Sequence, residues 1–252
     1  MDVRPSHLGF RHESALCERS RCAFRRYICC MSSSPDLVWQ PSLLATAGTV
    51  QVDRSFSRLR RIDLDDESWV EHVPEWVSGA DVLFEQILNA RGWQQRSRHL
   101  YDRRVLEPRL TAPWSLDSAE PLEPPILEEI RLVLSDRYGR AFDSVGFNLY
   151  RNGRDSVAWH ADRIAKEIDD PIVALISLGD PRKFLLRPKG GGKSRVFVPG
   201  RGDLLITGGK TQRTWQHSVP KVATVGPRIS LAYRHGMDTN VYRGKRVERS
   251  RG

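Results

Sequence analysis

The sequence predicts an α+β domain in which short strands build a β-sandwich or double-stranded barrel and helices pack on its outside. Three observations predict this class. The length of 252 residues suits one large domain. Two segments carry apolar residues at helical spacing, and six short apolar segments farther along the chain are separated by turn residues.

The first helical segment lies between Pro74 and Gly92. Its apolar residues recur at steps of three and four and describe one buried face: Trp76, Val77, Ala80, Leu83, Phe84, Ile87 and Leu88. The second segment follows Pro124 and Pro125 and ends at Gly139, with proline at the start and glycine at the end as helices prefer. We therefore predict two amphipathic helices ahead of the strands.

Short strands with turn signals between them follow the second helix. They are predicted at Val145–Tyr150, Ile172–Leu178, Lys183–Arg187, Arg195–Val198, Asp203–Ile206 and Ile229–Tyr233. We predict one domain over residues 36–238, with the strand-rich core at about 142–238. A proline-rich loop or lid is predicted at about 99–122, because proline disfavours helix interiors and central strands. Residues 1–35 and 239–252 are predicted to be disordered basic extensions.

The charge of the chain indicates the class of partner. Lysine and arginine number 40 against 31 aspartates and glutamates, so the net charge is +9. Such an excess favours a polyanion, and nucleic acid is the first candidate. No apolar run approaches the about 18 residues of a membrane-spanning helix, which predicts a soluble protein without membrane association. All four cysteines precede Met31, which excludes a disulfide-stapled core and favours the reducing cytoplasm.

A short pattern in the strand-rich region indicates metal chemistry. His160 and Asp162 are two residues apart, so in an extended segment their side chains share a face. His217 follows on a segment that another strand would bring beside them. Two histidines and one carboxylate leave coordination positions open on Fe(II). One such His-x-Asp pair is expected by chance, so a solvated turn remains the alternative.

Two arginines near the end of the chain indicate a site for a carboxylate. Arg228 and Arg234 share one face of a predicted strand, with small residues between them. A guanidinium binds a carboxylate through two parallel hydrogen bonds. Asn148 and Tyr150 share a face of another strand and would add neutral donors. The alternative is that all four side chains face solvent.

Four motifs then follow one another along the chain: Asn148-Leu149-Tyr150, His160-x-Asp162, Trp215-Gln216-His217 and Pro227-Arg228-x5-Arg234. In this order, within about residues 108–235, they resemble the AlkB family of Fe(II)/2-oxoglutarate dioxygenases. The resemblance implies a jelly-roll core, also called a double-stranded β-helix, with flanking N-terminal helices. It also implies Fe(II) and 2-oxoglutarate as cofactors.

The resemblance implies roles for individual residues. Those implied to hold iron are His160, Asp162 and His217. Those implied to bind 2-oxoglutarate are Arg228, at its distal carboxylate, with Asn148, Tyr150 and Arg234. The implied activity is oxidative demethylation of N-alkylated bases in DNA or RNA, which releases formaldehyde, succinate and carbon dioxide. Close relatives carry a further acid after the iron-binding aspartate, whereas Asp162 is followed by Arg163, Ile164 and Ala165, so the base preference is not specified.

Basic residues predict where a nucleic acid binds. Seven lysines and arginines and no acid lie between Arg182 and Arg201, around a triple-glycine turn. The predicted nucleic-acid contacts are Arg182, Lys183, Arg187, Lys189, Lys193 and Arg109, with Trp114 as a candidate for stacking on a base. The alternatives are a solvated charged face and an aromatic residue packed in the core.

Two other functions remain open from the sequence. The same chemistry would serve a hydroxylase of a protein or small molecule, which the basic hairpin disfavours. A non-catalytic nucleic-acid-binding jelly roll would leave the ordered metal and carboxylate motifs unexplained. A monomer is predicted in each case.

Overall fold

The structure of the chain, a computed structural model, describes Leu37, residues 48–100 and residues 103–237. The predicted extensions 1–35 and 239–252 lie outside these residues and stay predictions. Within the described ranges, no helix is long and apolar enough to span a bilayer. The strands are β1 (Gln51–Val52), β2 (Arg60–Asp63), β3 (Ser68–Val73), β4 (Val77–Ser78), β5 (Ser97–Leu100), β6 (Arg103–Leu106), β7 (Leu110–Ser115), β8 (Ser144–Tyr150), β9 (Val157–His160), β10 (Val173–Gly179), β11 (Phe184–Pro188), β12 (Arg195–Phe197), β13 (Leu204–Gly209), β14 (Trp215–Val219) and β15 (Arg228–Arg234). The helices are α1 (Ala80–Ala90), α2 (Ile126–Tyr138) and α3 (Thr211–Thr214).

Two antiparallel sheets enclose the core. The larger has seven strands in the order β2-β3-β13-β10-β15-β8-β7, and the smaller has four in the order β12-β11-β14-β9. One apolar cluster joins residues of both sheets, among them Tyr150 and Leu175 of the larger and Leu186 and Trp215 of the smaller. Two facing antiparallel sheets of this connectivity form a jelly roll. The predicted α+β fold with a jelly-roll core is therefore confirmed.

The helices cover the other face of the seven-stranded sheet. A second buried cluster combines Leu83 of α1 and Ile130 of α2 with Ile176 and Leu231 of the sheet. Tyr233 anchors α2 directly, because its hydroxyl donates to the carbonyl of Leu127 at 3.1 Å. Successive strand residues point to opposite faces, so this packing assigns every alternate residue of β15 to the interior of the jelly roll.

The first helix begins later than the apolar spacing predicts. Helix α1 starts at Ala80, while Val77 belongs to a strand that pairs with Val52. The indole of Trp76 donates to the carbonyl of Asp53 at 2.7 Å. Gly79 separates the two elements with a left-handed backbone, φ 66°. Trp76 and Val77 thus pack in the same core as the helix but are not part of it. Apolar spacing of three and four residues cannot tell such residues from the first turn of a helix.

Part of the predicted lid is a strand. Strand β7 pairs with β8 from Leu110 to Ser115 and forms one end of the seven-stranded order. A strand at the edge of a sheet tolerates Pro113, because ladder hydrogen bonds are required along one side only. The second helix, in contrast, ends as predicted, at Gly139 in the left-handed conformation.

Candidate active site

The structure brings the three predicted metal-binding residues together. His160 ends β9 and lies opposite His217 of β14 in the four-stranded sheet. Asp162 follows in the loop after β9. One ligand atom from each of the three residues lies within 4.8 Å of the other two. The imidazole rings are 4.2 Å apart between centroids.

The free atoms of this cluster fit a divalent metal ion. Asp162 Oδ1 accepts from Arg234 Nη2 at 2.7 Å, whereas Asp162 Oδ2 is buried without a hydrogen-bond partner among the described residues. That orphaned oxygen lies 4.0 Å from His217 Nε2. His160 Nδ1 lies 2.8 Å from the carbonyl of Ala158 and donates to it, which leaves Nε2 for a ligand. A buried carboxylate oxygen without a partner is costly, and a cation between the three residues would satisfy it.

The local charges keep all three groups in the form that binds metal. Burial lowers the pKa of His217 to about 3 and also lowers the pKa of His160. Both imidazoles are therefore neutral near pH 7 and offer a lone pair. Burial alone would raise the pKa of Asp162, but the charge of Arg234, with smaller effects of the histidines, lowers it to about 2. The carboxylate is therefore ionised.

These pKa shifts predict that the metal-free protein loses stability in acid. The folded pKa of His217 lies below the usual value of about 6.5, so the unfolded chain binds the proton first. The free energy of unfolding should therefore fall as the pH decreases below about 6.5, by about 1.4 kcal/mol per pH unit for one such histidine. Urea unfolding in EDTA at several pH values measures this slope. His217→Phe should flatten it, and equal stability at high and low pH would contradict the prediction.

The inner face of the seven-stranded sheet carries the predicted carboxylate site. Arg228 and Arg234 lie on this face, because the alternate residues of β15 pack outward against the helices. Arg228 is buried; its Nε donates to Ser177 Oγ at 2.8 Å, and its Nη1 has no partner among the described residues. Burial lowers the pKa of Arg228 to about 10, so it is still a cation at neutral pH. A buried cation whose Nη1 has no partner among the described residues fits an anionic ligand such as the carboxylate of 2-oxoglutarate.

Polar residues in register line the space between the two arginines. Ser230 lies opposite both Asn148 and Ser177, and Asn148 lies opposite Thr111. Thr111 Oγ1 is buried without a partner among the described residues. Tyr150 lies beside them, with its ring 5.4 Å from the Arg228 guanidinium carbon. Thr111 and Ser177 were not predicted, since their face becomes evident only from the strand pairing.

Arg234 contacts Asp162 directly, beside the 2-oxoglutarate role that the resemblance implies for it. Its Nε and Nη2 both contact Asp162 Oδ1, at 2.9 and 2.7 Å, and its Nη1 donates to the carbonyl of Ala232. Gly146 makes room for it, because a Cβ there would come 2.6 Å from Arg234 Nη1. Arg234 therefore orients Asp162 and keeps one N–H on each of Nη1 and Nη2 outside these contacts, so its predicted contact with 2-oxoglutarate stays a prediction.

Four of the predicted nucleic-acid contacts lie on the hairpin formed by β11 and β12. Lys183, Lys189 and Lys193 are exposed, and Arg187 is half-buried. The Arg187 guanidinium lies 4.0 Å above the ring of Trp159, the residue before His160. The hairpin thus exposes three lysines to solvent, while Arg187 stacks on the indole of Trp159.

Of the other three predicted contacts, the structure places two in the interior and one at the pocket. Arg182 is buried and donates to the carbonyls of Asn152, Asp155 and Pro220, so it joins loops of the fold. Trp114 is buried in the core, so it does not offer a face for stacking on a base. Arg109 is half-buried; it pairs with Glu107 at 3.1 Å and donates to Asn148 Oδ1 at 3.1 Å. Arg109 thus belongs to the wall of the pocket, and its contact with a nucleic acid stays a prediction.

Comparison with known proteins agrees with this geometry. Residues 71–237 match the model of the 2OG-Fe(II) oxygenase superfamily. Among solved structures, OsALKBH1 superposes with a TM-score of 0.51 at 16% identity, over 70% of this chain and 100% of that one. At this identity the structural likeness shows the fold alone.

Sequence relatives carry more specific names. Alpha-ketoglutarate-dependent dioxygenase alkB homolog 3 of Bos taurus is 33% identical over 217 residues, which is 77% of this chain and 73% of the relative. The Homo sapiens protein of the same name is 36% identical, and the match spans 63% of this chain and 62% of the relative. DNA oxidative demethylase ALKBH2 of Arabidopsis thaliana is 36% identical over 48% of this chain and 45% of that protein.

Proposed function

This chain belongs to the AlkB family of 2OG-Fe(II) oxygenases, and we propose that it removes alkyl groups from nitrogen atoms of bases in DNA or RNA. One observation carries the proposal: among the residues that the structure describes, one carboxylate oxygen of Asp162 and one guanidinium nitrogen of Arg228 are buried at the jelly-roll interior without a hydrogen-bond partner. The first suits a metal ion and the second suits a carboxylate. Relatives named as dioxygenases and as DNA oxidative demethylases support the nucleic-acid substrate.

We assign the metal to His160, Asp162 and His217, and the distal carboxylate of 2-oxoglutarate to Arg228. Asn148 and Tyr150 line the same face and complete the cofactor pocket. With dioxygen as the oxidant, Fe(II) and 2-oxoglutarate held there would supply the oxidation of an N-methyl group: one oxygen atom would enter succinate, formed with carbon dioxide from 2-oxoglutarate, and the other would enter the methyl group, whose carbon would leave as formaldehyde. The chain itself keeps His160 and His217 neutral and Asp162 ionised, and it orients Asp162 through Arg234. Its remaining role is to position the base.

We assign nucleic-acid binding to the β11–β12 hairpin. Its exposed lysines suit phosphate groups, since lysine and arginine contacts to phosphate supply most sequence-independent affinity. The base to be repaired has to leave its stack in order to reach a buried metal site. The substrate is therefore a single strand or a duplex from which the base is flipped.

Neutralising the hairpin should weaken nucleic-acid binding for all sequences. In the variant Lys183→Gln, Lys189→Gln, Lys193→Gln, the slope of log affinity against log salt should become shallower by about one for each phosphate that the variant no longer neutralises. Fluorescence anisotropy with an unmethylated oligonucleotide at several salt concentrations measures this slope.

A matched control removes the same number of positive charges, three, from another part of the surface. Arg54, Arg58 and Arg60 are exposed and lie in or just before β2, at the edge of the seven-stranded sheet, whereas the hairpin belongs to the four-stranded sheet, so their replacement by glutamine should leave the slope nearly unchanged. An unaltered slope in the lysine variant would show that the hairpin faces away from the nucleic acid.

One assay separates the proposed function from its alternatives. The purified protein is supplied with Fe(II), 2-oxoglutarate and an oligonucleotide that carries 1-methyladenine or 3-methylcytosine. We expect formaldehyde and succinate in equal amounts, with the unmethylated base restored. Succinate formation that responds to a peptide and not to the oligonucleotide would indicate a protein hydroxylase. Oligonucleotide binding without any succinate would indicate a non-catalytic binding protein.

We further propose that the protein acts as a monomer in the cytoplasm. The cysteine-free sequence after Cys30 supports a reducing compartment. Sedimentation of the purified chain and fractionation of expressing cells test these two points.

A further inference from the structure

The backbone of Asp162 lies outside the strand ladders, and yet its orientation decides where the carboxylate points. His160 and His217 are held by pairing within the four-stranded sheet. Asp162 follows β9 in a loop, so no ladder places it. Arg234 holds Asp162 Oδ1 by a hydrogen bond. The orientation of the carboxylate also depends on the position of the Asp162 backbone, which needs a contact of its own.

The side chain of Gln212 supplies that second point. Gln212 Oε1 accepts the backbone N–H of Asp162 at 2.9 Å. Its other amide atom, Nε2, donates to Thr207 Oγ1 at 3.0 Å. Gln212 and Thr207 are 3% and 0% exposed, so both bonds are shielded from competing water. One amide therefore ties the loop that carries Asp162 to strand β13 of the larger sheet.

The short helix that carries Gln212 is itself anchored. Thr211 Oγ1 donates to the carbonyl of Gly208 at 2.6 Å and to that of Trp69 at 3.2 Å. Arg213 donates to three carbonyls of the segment after Asp162, those of Ile164, Ala165 and Ile168. Helix α3 thus holds both the start and the continuation of the Asp162 loop. The same helix leads directly into β14, which carries His217.

We propose that Gln212 is the positioning residue of the metal centre, which fixes the Asp162 backbone so that Oδ2 faces His160 and His217. The inference rests on the proposed function, because it assumes that these three residues bind a metal. Groups that orient metal ligands typically contribute about 10- to 100-fold to metal affinity or activity. Gln212 does not touch the metal position itself and acts through Asp162.

The test measures metal binding and stability separately, without nucleic acid. Mn(II) is titrated into metal-free wild type, Gln212→Ala and Gln212→Met by calorimetry, and urea unfolding of the metal-free proteins is measured in parallel. Methionine has a similar length and fills the space of the glutamine, but it has no N–H donor and its sulfur accepts hydrogen bonds only weakly. We expect both variants to bind Mn(II) at least about tenfold more weakly than the wild type.

Gln216→Met is the matched control. Gln216 is half-buried on β14 beside His217, and its side chain points to the opposite face of the strand. This variant should bind Mn(II) as the wild type does. If Gln212→Met lowers only the stability of the metal-free protein and keeps wild-type Mn(II) affinity, Gln212 is merely structural and the inference is overturned.

The same titration distinguishes this inference from the function on which it rests. If the wild type binds no Mn(II), or if His160→Ala binds it equally well, the metal site of the proposed function is wrong. If the wild type binds Mn(II), His160→Ala does not, and Gln212→Met equals the wild type, the role of Gln212 alone is wrong.

Discussion

Replacing His160 with alanine should abolish formaldehyde release from a methylated oligonucleotide while leaving salt-dependent binding of that oligonucleotide intact. The change removes one of three ligand atoms that lie within 4.8 Å of one another. Loss of a group that only orients a ligand typically costs about 10- to 100-fold in affinity or activity, so loss of the ligand itself should cost more. The exposed lysines assigned to phosphate binding lie on a separate hairpin and keep their charge.

Asp162 should behave in the same way, with one structural difference. Asp162→Ala would leave Arg234 without any acceptor at this position, whereas Asp162→Asn removes the charge but keeps the shape and an amide oxygen that can accept from Arg234, so it is the cleaner variant. Formaldehyde release and anisotropy are measured on the same preparations. Normal turnover in either variant would contradict the ligand assignment, and loss of binding together with turnover would contradict the separation of the two sites.

Arg228→Met should raise the KM for 2-oxoglutarate strongly. Loss of one partner from a buried, hydrogen-bonded charge pair costs about 2 to 5 kcal/mol, which corresponds to about 30-fold or more in affinity. Methionine fills the space of the aliphatic stem and removes every donor. Succinate production at increasing 2-oxoglutarate concentration, with saturating metal and oligonucleotide, gives the KM.

The same substitution should not weaken the cofactor-free fold. Arg228 Nη1 is buried without a partner among the described residues, and an uncompensated buried charge destabilises a protein. Urea unfolding without 2-oxoglutarate should therefore show Arg228→Met at least as stable as the wild type. An unchanged KM together with lower stability would show that Arg228 serves the fold and not the cofactor.

The spacing of short strands predicted a β-sandwich or double-stranded barrel, and the resemblance implied the jelly roll. The inner face of the strands could be predicted because strand side chains alternate with a period of two. That period places Arg228 and Arg234 on one face from the sequence alone, opposite the apolar residues that pack on the helices. The same rule predicted that His160 and Asp162 converge, but Asp162 lies in the loop after β9, where Gln212 and Arg234 hold it. What the rule cannot supply is the neighbour of each strand, and so Thr111 and Ser177 became visible only in the structure.

Other differences arise where contacts distant in sequence decide the outcome. Arg182 looks like part of a basic hairpin, but its donors reach the carbonyls of Asn152 and Pro220 in other loops. Trp114 belongs to an edge strand, but the prolines around it are typical of a loop, so the sequence pattern indicated a loop there. Gln212 contacts a backbone N–H 50 residues away, and no local pattern indicates that bond.

The most direct measurement is a crystal structure of the protein with Mn(II) and 2-oxoglutarate, in which anomalous scattering locates the metal. We predict a single Mn(II) bonded to His160, Asp162 Oδ2 and His217, with the distal carboxylate of 2-oxoglutarate on Arg228. A metal bound elsewhere, or a 2-oxoglutarate carboxylate that does not contact Arg228, would contradict this assignment.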